Sequence, residues 1–451
     1  MWVLPISLKA KIGLGLLATY TSYAAYVSYA ANVEITRRGK RFQESKASSL
    51  AEEGSCCDHG HDDYIKDKYS SLTIAGRFEN PFEEYRIQTL FEFFLSRVLE
   101  LFEGKSRGDV PATETLREVL PVFTPDFELL QQSSLLLNNY HTFSDSLSNV
   151  VGLPDFKDRM TVTWLGQSCS FIQISGVNFL TDPIFSNHLI APVIGPKRIT
   201  PSPCEYKDLP KPDFILVSHN HPDHLDMGTV NEVKNSVTWV VPSGLRRVLA
   251  ARGIHNTIEL DWWEKVQIDV PSDKNNVYEI ACTPAMHWSG RTLLDSNQSL
   301  WCSFLVLKNG KPIFFHCGDT GYVHDLFKMI SEKYGEGVKL AMLPCGQYCP
   351  QWHQKPRHIS PEECFKIHDD LKAKKMIGVH WGTFVLSSEF YLEPKLKIES
   401  LAKDLGKEDD CFIPQFGQTY VFDINDNDEA RINENDKGQV TVRDGKSILV
   451  K

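Results

Sequence analysis

Positive charge is in short supply. Across 451 residues, 48 Lys and Arg stand against 58 Asp and Glu, a net charge of −10 at pH 7. Nucleic-acid binding wants a basic face, so this balance argues against it. The cysteines lack regular spacing. Eleven of them, an odd number, are scattered along the chain, which is not the pattern of a secreted disulfide framework. Cys169, Cys282, Cys302 and Cys317 sit in apolar, strand-like runs and read as ordinary buried thiols. Charge itself is missing from Ile12 to Val33; no acidic residue precedes Glu34 and no arginine precedes Arg37.

That uncharged stretch is long enough for a membrane-spanning helix, which needs about 20 residues. It is rich in Ala, Gly, Ser and Tyr, with Tyr20, Tyr23, Tyr26 and Tyr29 at every third position. A signal peptide could end at Ser28-Tyr29-Ala30, and a mitochondrial presequence is a third reading. A retained anchor over residues 1–33 fits the length best. More basic residues follow it than precede it, which leaves the body on the cytosolic or matrix side. Residues 34–75 read as a polar linker. Within it, Cys56-Cys57-Asp58-His59-Gly60-His61-Asp62-Asp63 has metal-binding residue types without a recognised ligand spacing.

Hydrophobic residues make up 42% of the chain, enough for a sizeable core. An N-terminal extension is expected over 76–160, with a broadly apolar helix from Ile87 to Phe102. Such a helix suits either core packing or a lipid groove. From Thr161 to about residue 424, short apolar runs alternate with turn residues and occasional helical segments. Strands are predicted at Val162–Leu165, Ser170–Ile174, Asn178–Thr181, Phe214–Val217, Thr238–Val241, Tyr278–Thr283, Trp301–Leu307, Ile313–His316, Leu340–Leu343, Met376–Val379 and Thr419–Phe422. Helices are expected at Gly244–Arg252 and Pro361–Ala373, the second capped by Ser360 with Pro361 in its first turn. The mixture implies a layered α/β architecture. Residues 425–451 read as a polar tail.

The chemistry concentrates at Ser218-His219-Asn220-His221-Pro222-Asp223-His224-Leu225-Asp226, directly after the apolar run Phe214–Val217. A loop at the end of a buried strand can aim several side chains at one point. Neutral imidazoles and carboxylates are ligands that zinc and similar ions prefer. His219 and His221 fit one metal, with Asp223 and His224 at a second beside it. His287, Asp319 and His380 also lie at the ends of predicted strands. Taken alone, Asp319 reads better as a turn carboxylate and His380 as a core histidine; the His219–His224 cluster turns both towards a metal.

The pattern His-x-His-x-Asp-His after a strand resembles the metallo-β-lactamase superfamily. Thr163-Trp164-Leu165-Gly166, Leu180-Thr181-Asp182-Pro183-Ile184-Phe185-Ser186, Gly195-Pro196-Lys197-Arg198, Leu260-Asp261-Trp262-Trp263-Glu264, His287-Trp288, Gly318-Asp319-Thr320-Gly321-Tyr322 and His380-Trp381-Gly382-Thr383-Phe384 follow in order. Together they resemble the N-acylphosphatidylethanolamine-hydrolysing phospholipase D branch, in its fungal form. The resemblance implies an αββα sandwich of two sheets between helix layers. It implies two Zn2+ ions, one on His219, His221 and His287, the other on Asp223, His224 and His380, with Asp319 bridging. It implies hydrolysis of N-acylphosphatidylethanolamine to phosphatidic acid and N-acylethanolamine.

Catalytic roles then fall to Asp319, Asp223 and His358, and substrate contacts to Arg291, His358 and Pro222. Asp226 would orient a ligand histidine, and Gly195–Arg198 would form a turn or a phosphate contact. The implied partners are a phospholipid and a membrane, with a homodimer admitted and nucleic acid excluded. The implied location is the mitochondrial inner membrane first and the endoplasmic reticulum second. Two positions depart from the family pattern. Gln167 replaces a histidine, and Pro222 replaces the tyrosine of mammalian members. A soluble phosphodiester or lactone as substrate, or a non-catalytic lipid-binding role, are the alternatives on the same fold.

Overall fold

A computed structural model describes residues 7–51, 65–89, 91, 92, 95, 98, 99, 107–134, 153–190, 195–270, 273–292, 294–425, 441–443 and 447–450. The chain divides into two compact units, 1–102 and 103–451. The extension expected over 76–160 is therefore split between them.

The N-terminal unit opens with helix α1, Leu8–Ala51. It runs straight through Val33, so a large part of the expected linker is helical. Polar sequence without apolar periodicity concealed this. Glu34 pairs with Arg37 at 2.7 Å and Arg38 at 2.9 Å, i,i+3 and i,i+4 spacings that favour a helix. Arg38 also donates to the Ser70 carbonyl at 2.6 Å. Strands β1, Leu72–Ile74, and β2, Arg77–Glu79, form a hairpin. Ala75 and Gly76 both adopt positive φ at its turn, which matches the twist of a hairpin. Val27 and Ala31 of α1 pack against Leu72 and Ile74.

Among the described residues, no helix is long and apolar enough to cross a membrane, so the expected spanning anchor finds no support. The many Ala, Gly, Ser and Tyr side chains between Ile12 and Val33 dilute its hydropathy. In the expected apolar helix, Ile87 to Thr89 are not helical, whereas Phe91, Glu92, Leu95, Val98 and Leu99 are. Phe91, Leu95, Val98 and Leu99 are exposed. Cys56–Asp63 lies outside the described residues.

The second unit is built on two sheets. The first contains β3 Arg159–Gly166, β4 Cys169–Ile174, β5 Val177–Thr181, β6 Phe214–Leu216, β7 Thr238–Pro242 and β8 Thr257–Leu260. The second contains β9 Lys265–Ile268, β10 Tyr278–Thr283, β11 Ser303–Lys308, β12 Lys311–His316, β13 Leu340–Pro344, β14 Lys375–Val379 and β15 Cys411–Phe412. The chain then returns to the first sheet with β16 Thr419–Asp423, β17 Thr441–Arg443 and β18 Ser447–Val450. The described strands order as β17-β18-β16-β3-β4-β5-β6-β7-β8 and β15-β14-β13-β12-β11-β10-β9. The expected polar tail is thus partly strand, with β18 parallel to β16.

Burial is continuous along β3, β4, β5 and β13, and the polar residues among them find partners, as where Thr161 of β3 donates to Gln173 Oε1 of β4 at 2.9 Å. Side chains link the two sheets, as where Ser170 of β4 donates to the Met342 sulfur of β13 at 3.2 Å. On the outer face of the first sheet, Phe171, Ile215 and Trp239 pack with Val230, Val233, Leu245 and Leu249. These last four belong to the helices Met227–Val233 and Leu245–Ala250. Each such burial contributes about 1.5–3 kcal/mol. The helix Pro361–Asp370 packs against β13 and β14 on the other side. The result is helix, sheet, sheet, helix. The nine described cysteines are free thiols and seven are buried.

Candidate metal centre

Each proposed ligand leaves the end of a strand. His219, His221, Asp223 and His224 follow β6; His287 follows β10; Asp319 follows β12; His380 follows β14 directly. Gly318 is required in the turn before Asp319. Its φ is +60°, and a Cβ there would lie 2.6 Å from Ser218 Cβ. His380 itself takes φ 63°, the left-handed region that a non-glycine residue enters at a cost met by its surroundings.

The seven side chains form two buried groups that share one residue. His219, His221, His287 and Asp319 make the first; Asp223, His224, Asp319 and His380 make the second. Within each, one ligand atom per residue lies within 4.8 Å of the others. Asp319 stands between the groups. Its Oδ1 is 3.1 Å from His380 Nε2, and its Oδ2 is 3.2 Å from His224 Nε2 and 3.7 Å from His287 Nε2.

The donor set suits cations. Ring nitrogens face one another, as with His219 Nε2 and His221 Nδ1 at 2.8 Å and His224 Nε2 and His380 Nε2 at 3.1 Å. Imidazole lone pairs so arranged repel unless a proton or a metal ion lies among them. The Asp319 Oδ1 is buried with no hydrogen-bond partner. Burial, reinforced by neighbouring imidazoles, holds His219 well below the usual histidine range. Burial also holds His287 well below that range, although Asp319 opposes it. Both rings are then neutral donors. Burial pulls His380 down too, but Asp319 and Asp223 outweigh it and raise it to about 9. Carboxylates that draw a proton onto a ring would draw a metal ion as well.

Neighbours fix the rings. Ser218 Oγ lies 2.9 Å from His219 Nδ1, and the Arg357 carbonyl 2.9 Å from His287 Nδ1. Asp182, at the end of β5, holds His224 Nδ1 at 2.8 Å and accepts from Ser218 N at 2.7 Å and Ser218 Oγ at 2.8 Å. Burial opposes the charge on Asp182, but the imidazoles beside it prevail and hold it at about 2. The orienting carboxylate is therefore Asp182 and not Asp226. Asp226 instead caps the helix Met227–Val233 through Gly228 N at 2.9 Å and binds Ser186 Oγ at 2.7 Å. Sequence proximity to the motif favoured Asp226. A strand-end carboxylate on β5, the parallel neighbour of β6, was the signal for Asp182.

The remaining candidates divide. His358 is buried beside the centre, its Nδ1 3.7 Å from Asp319 Oδ2 and without a hydrogen-bond partner. Burial pulls it down to about 3, so the ring is neutral. Arg291 sends Nη1 to the carbonyls of Leu225 at 2.8 Å and His221 at 3.3 Å, bracing the ligand loop. Pro222 is half-buried in that loop. Arg198 is buried on the carbonyls of Ile184 and Ser186 at 2.7 and 3.3 Å, a brace and not an exposed phosphate contact. Gln167, the departure from the family pattern, supplies an outer contact itself, with Nε2 2.8 Å from Asp223 Oδ2 and 2.9 Å from His380 Nε2.

Two sheets and paired His/Asp groups define a metallo-hydrolase of the β-lactamase superfamily, and the model of the β-lactamase superfamily domain matches residues 177–381. A mitochondrial N-acyl-phosphatidylethanolamine-hydrolyzing phospholipase D of Saccharomyces cerevisiae is 48% identical over 427 residues, 91% of this chain and 87% of the relative. The chain belongs to the family of N-acylphosphatidylethanolamine-hydrolysing phospholipases D. A Caenorhabditis elegans protein of that name is 39% identical over 249 residues, 53% of this chain and 68% of the relative. A solved metallo-hydrolase from Ignicoccus hospitalis is similar at 22% identity and TM-score 0.45, covering 59% of this chain and all of that one.

Proposed function

We propose that this protein is a metal-dependent phospholipase D that hydrolyses N-acylphosphatidylethanolamine to phosphatidic acid and N-acylethanolamine. The observation that carries the proposal is the seven-residue, two-group cluster within a chain 48% identical to the yeast phospholipase. His219, His221 and His287 would hold one zinc ion, and Asp223, His224 and His380 the other, with Asp319 between them. Two such ions lower the pKa of a water molecule towards neutrality and neutralise charge on phosphodiester oxygens.

The protein's own groups do the rest. The neutral His358, whose Nδ1 has no hydrogen-bond partner, is available to hold an oxygen of the phosphodiester. Arg291 and Pro222 lie in or against the ligand loop and would border the substrate. Asp223 and Asp319 set the charge that faces the phosphate. Water adds its oxygen to phosphorus, the bond from phosphorus to the ethanolamide oxygen breaks, and that oxygen leaves with a proton.

Attachment to a membrane through α1 is part of the reading; Leu8, Ile12, Leu14, Leu16 and Leu17 are exposed along it. The yeast relative's name favours the mitochondrion; this reading puts the inner membrane ahead of the endoplasmic reticulum, and a homodimer is compatible with it. Purified protein given N-acylphosphatidylethanolamine in water labelled with heavy oxygen should place the label in phosphatidic acid, and a chelator should abolish the reaction. Free fatty acid as the main product would rule the phosphodiesterase out.

A further inference from the structure

His316 is the last residue of β12 and is 1% exposed. The two ligand groups do not include it, yet it reaches them through one carboxylate. Its Nε2 lies 2.8 Å from Asp182 Oδ2. That oxygen already holds His224 Nδ1 at 2.8 Å and Ser218 Oγ at 2.8 Å. His316 Nδ1 is buried and has no partner. An ionised carboxylate only accepts, so the proton in this contact sits on Nε2 of His316.

Topology gives the contact its meaning. Asp182, Ser218 and His224 all come from the first sheet, whereas His316 comes from the second. Asp182 itself is completely buried, where a carboxylate is costly unless each oxygen is met by donors. Ser218 grips it from within its own sheet. His316 supplies the donor from the facing sheet.

We propose that His316 is a positioning residue for the second metal group, holding Asp182 so that the His224 ring keeps Nε2 turned towards Asp223, Asp319 and His380. The proposal rests on the reading of these groups as metal sites. Partners of this kind are worth about 10–100-fold in metal affinity.

The test compares His316→Gln, which keeps an N–H at similar reach, with His316→Leu, which keeps bulk without a donor. Full-length protein is dialysed against zinc buffered by a graded series of chelator concentrations, and bound zinc is measured by elemental analysis. Wild type and the Gln variant should retain two zincs per chain to similar chelator concentrations. The Leu variant should lose its second zinc at about 10–100-fold weaker buffering while keeping the first. Its kcat should fall with KM unchanged. Should the Leu variant fail to fold, judged by melting of the stripped proteins, His316→Asn replaces it. Its amide is too short to reach Asp182 and should lose the second zinc as Leu would. Equal zinc retention by all variants, or equal loss by Gln and by the donorless variant, overturns the proposal. Wild type without two zincs would instead overturn the metal reading on which it rests.

Discussion

Asp319 offers one oxygen to His380 and the other to His224 and His287. Asp319→Asn keeps the shape and removes the charge, so zinc content should fall at both groups. His287→Ala should empty mainly the first. Elemental analysis separates the two outcomes, and a native protein purified without chelators that holds one zinc or none would sink the two-metal scheme. Gln167→Ala removes the contact to Asp223 and should weaken metal binding by about 10–100-fold, read by chelator competition. The contiguous His219–His224 motif was legible because spacing and the preceding strand announce it together. Asp182 was not, because its partner His224 is 42 residues away and Asp226 stands nearer in sequence. Arg291 reads from the sequence as a phosphate contact, whereas its hold on the Leu225 and His221 carbonyls is a contact that only the fold creates.

Elements buried on both faces were the easy ones. The runs predicted for β4 to β7, β10 to β14 and β16 lie within a residue or two of the observed strands, and that for β3 begins three residues late, because its polar start, Arg159 to Thr161, gives less signal than the apolar-rich remainder. The strands β8 and β9 are short and partly exposed, so they carried no comparable signal, and the polar half of α1 is held by ion pairs that hydropathy does not register. The cap at Ser360 was legible from Ser360 followed by Pro361. The structure completes it as a capping box, with Glu363 N 3.4 Å from Ser360 Oγ and Ser360 N 3.1 Å from Glu363 Oε2. Ser360→Ala should cost about 1 kcal/mol of stability, seen as a lower melting temperature. Because His358 sits two residues before the cap, a drop in kcat should accompany it.

At the scale of the whole chain, every proposed ligand lies in the unit 103–451 and none in 1–102. Deleting residues 1–42 should leave zinc content and cleavage of detergent-dispersed lipid intact while weakening membrane attachment, measured by fractionation. The same deletion removes Val27 and Ala31 from Leu72 and Ile74, so the shortened protein should aggregate more readily. Both metal groups, moreover, take ligands from both sheets: His219 and His221 meet His287 across the sandwich, and Asp223 and His224 meet His380. An ion bound there acts as a rivet between two halves that are far apart along the chain. Neither complete group exists until the sheets have come together, so a metal held by all of its ligands would help keep the sandwich closed. At a hundredfold excess over its dissociation constant, one such ion would add about 2.7 kcal/mol; a shortage of that metal would then lower the amount of folded protein as well as its activity.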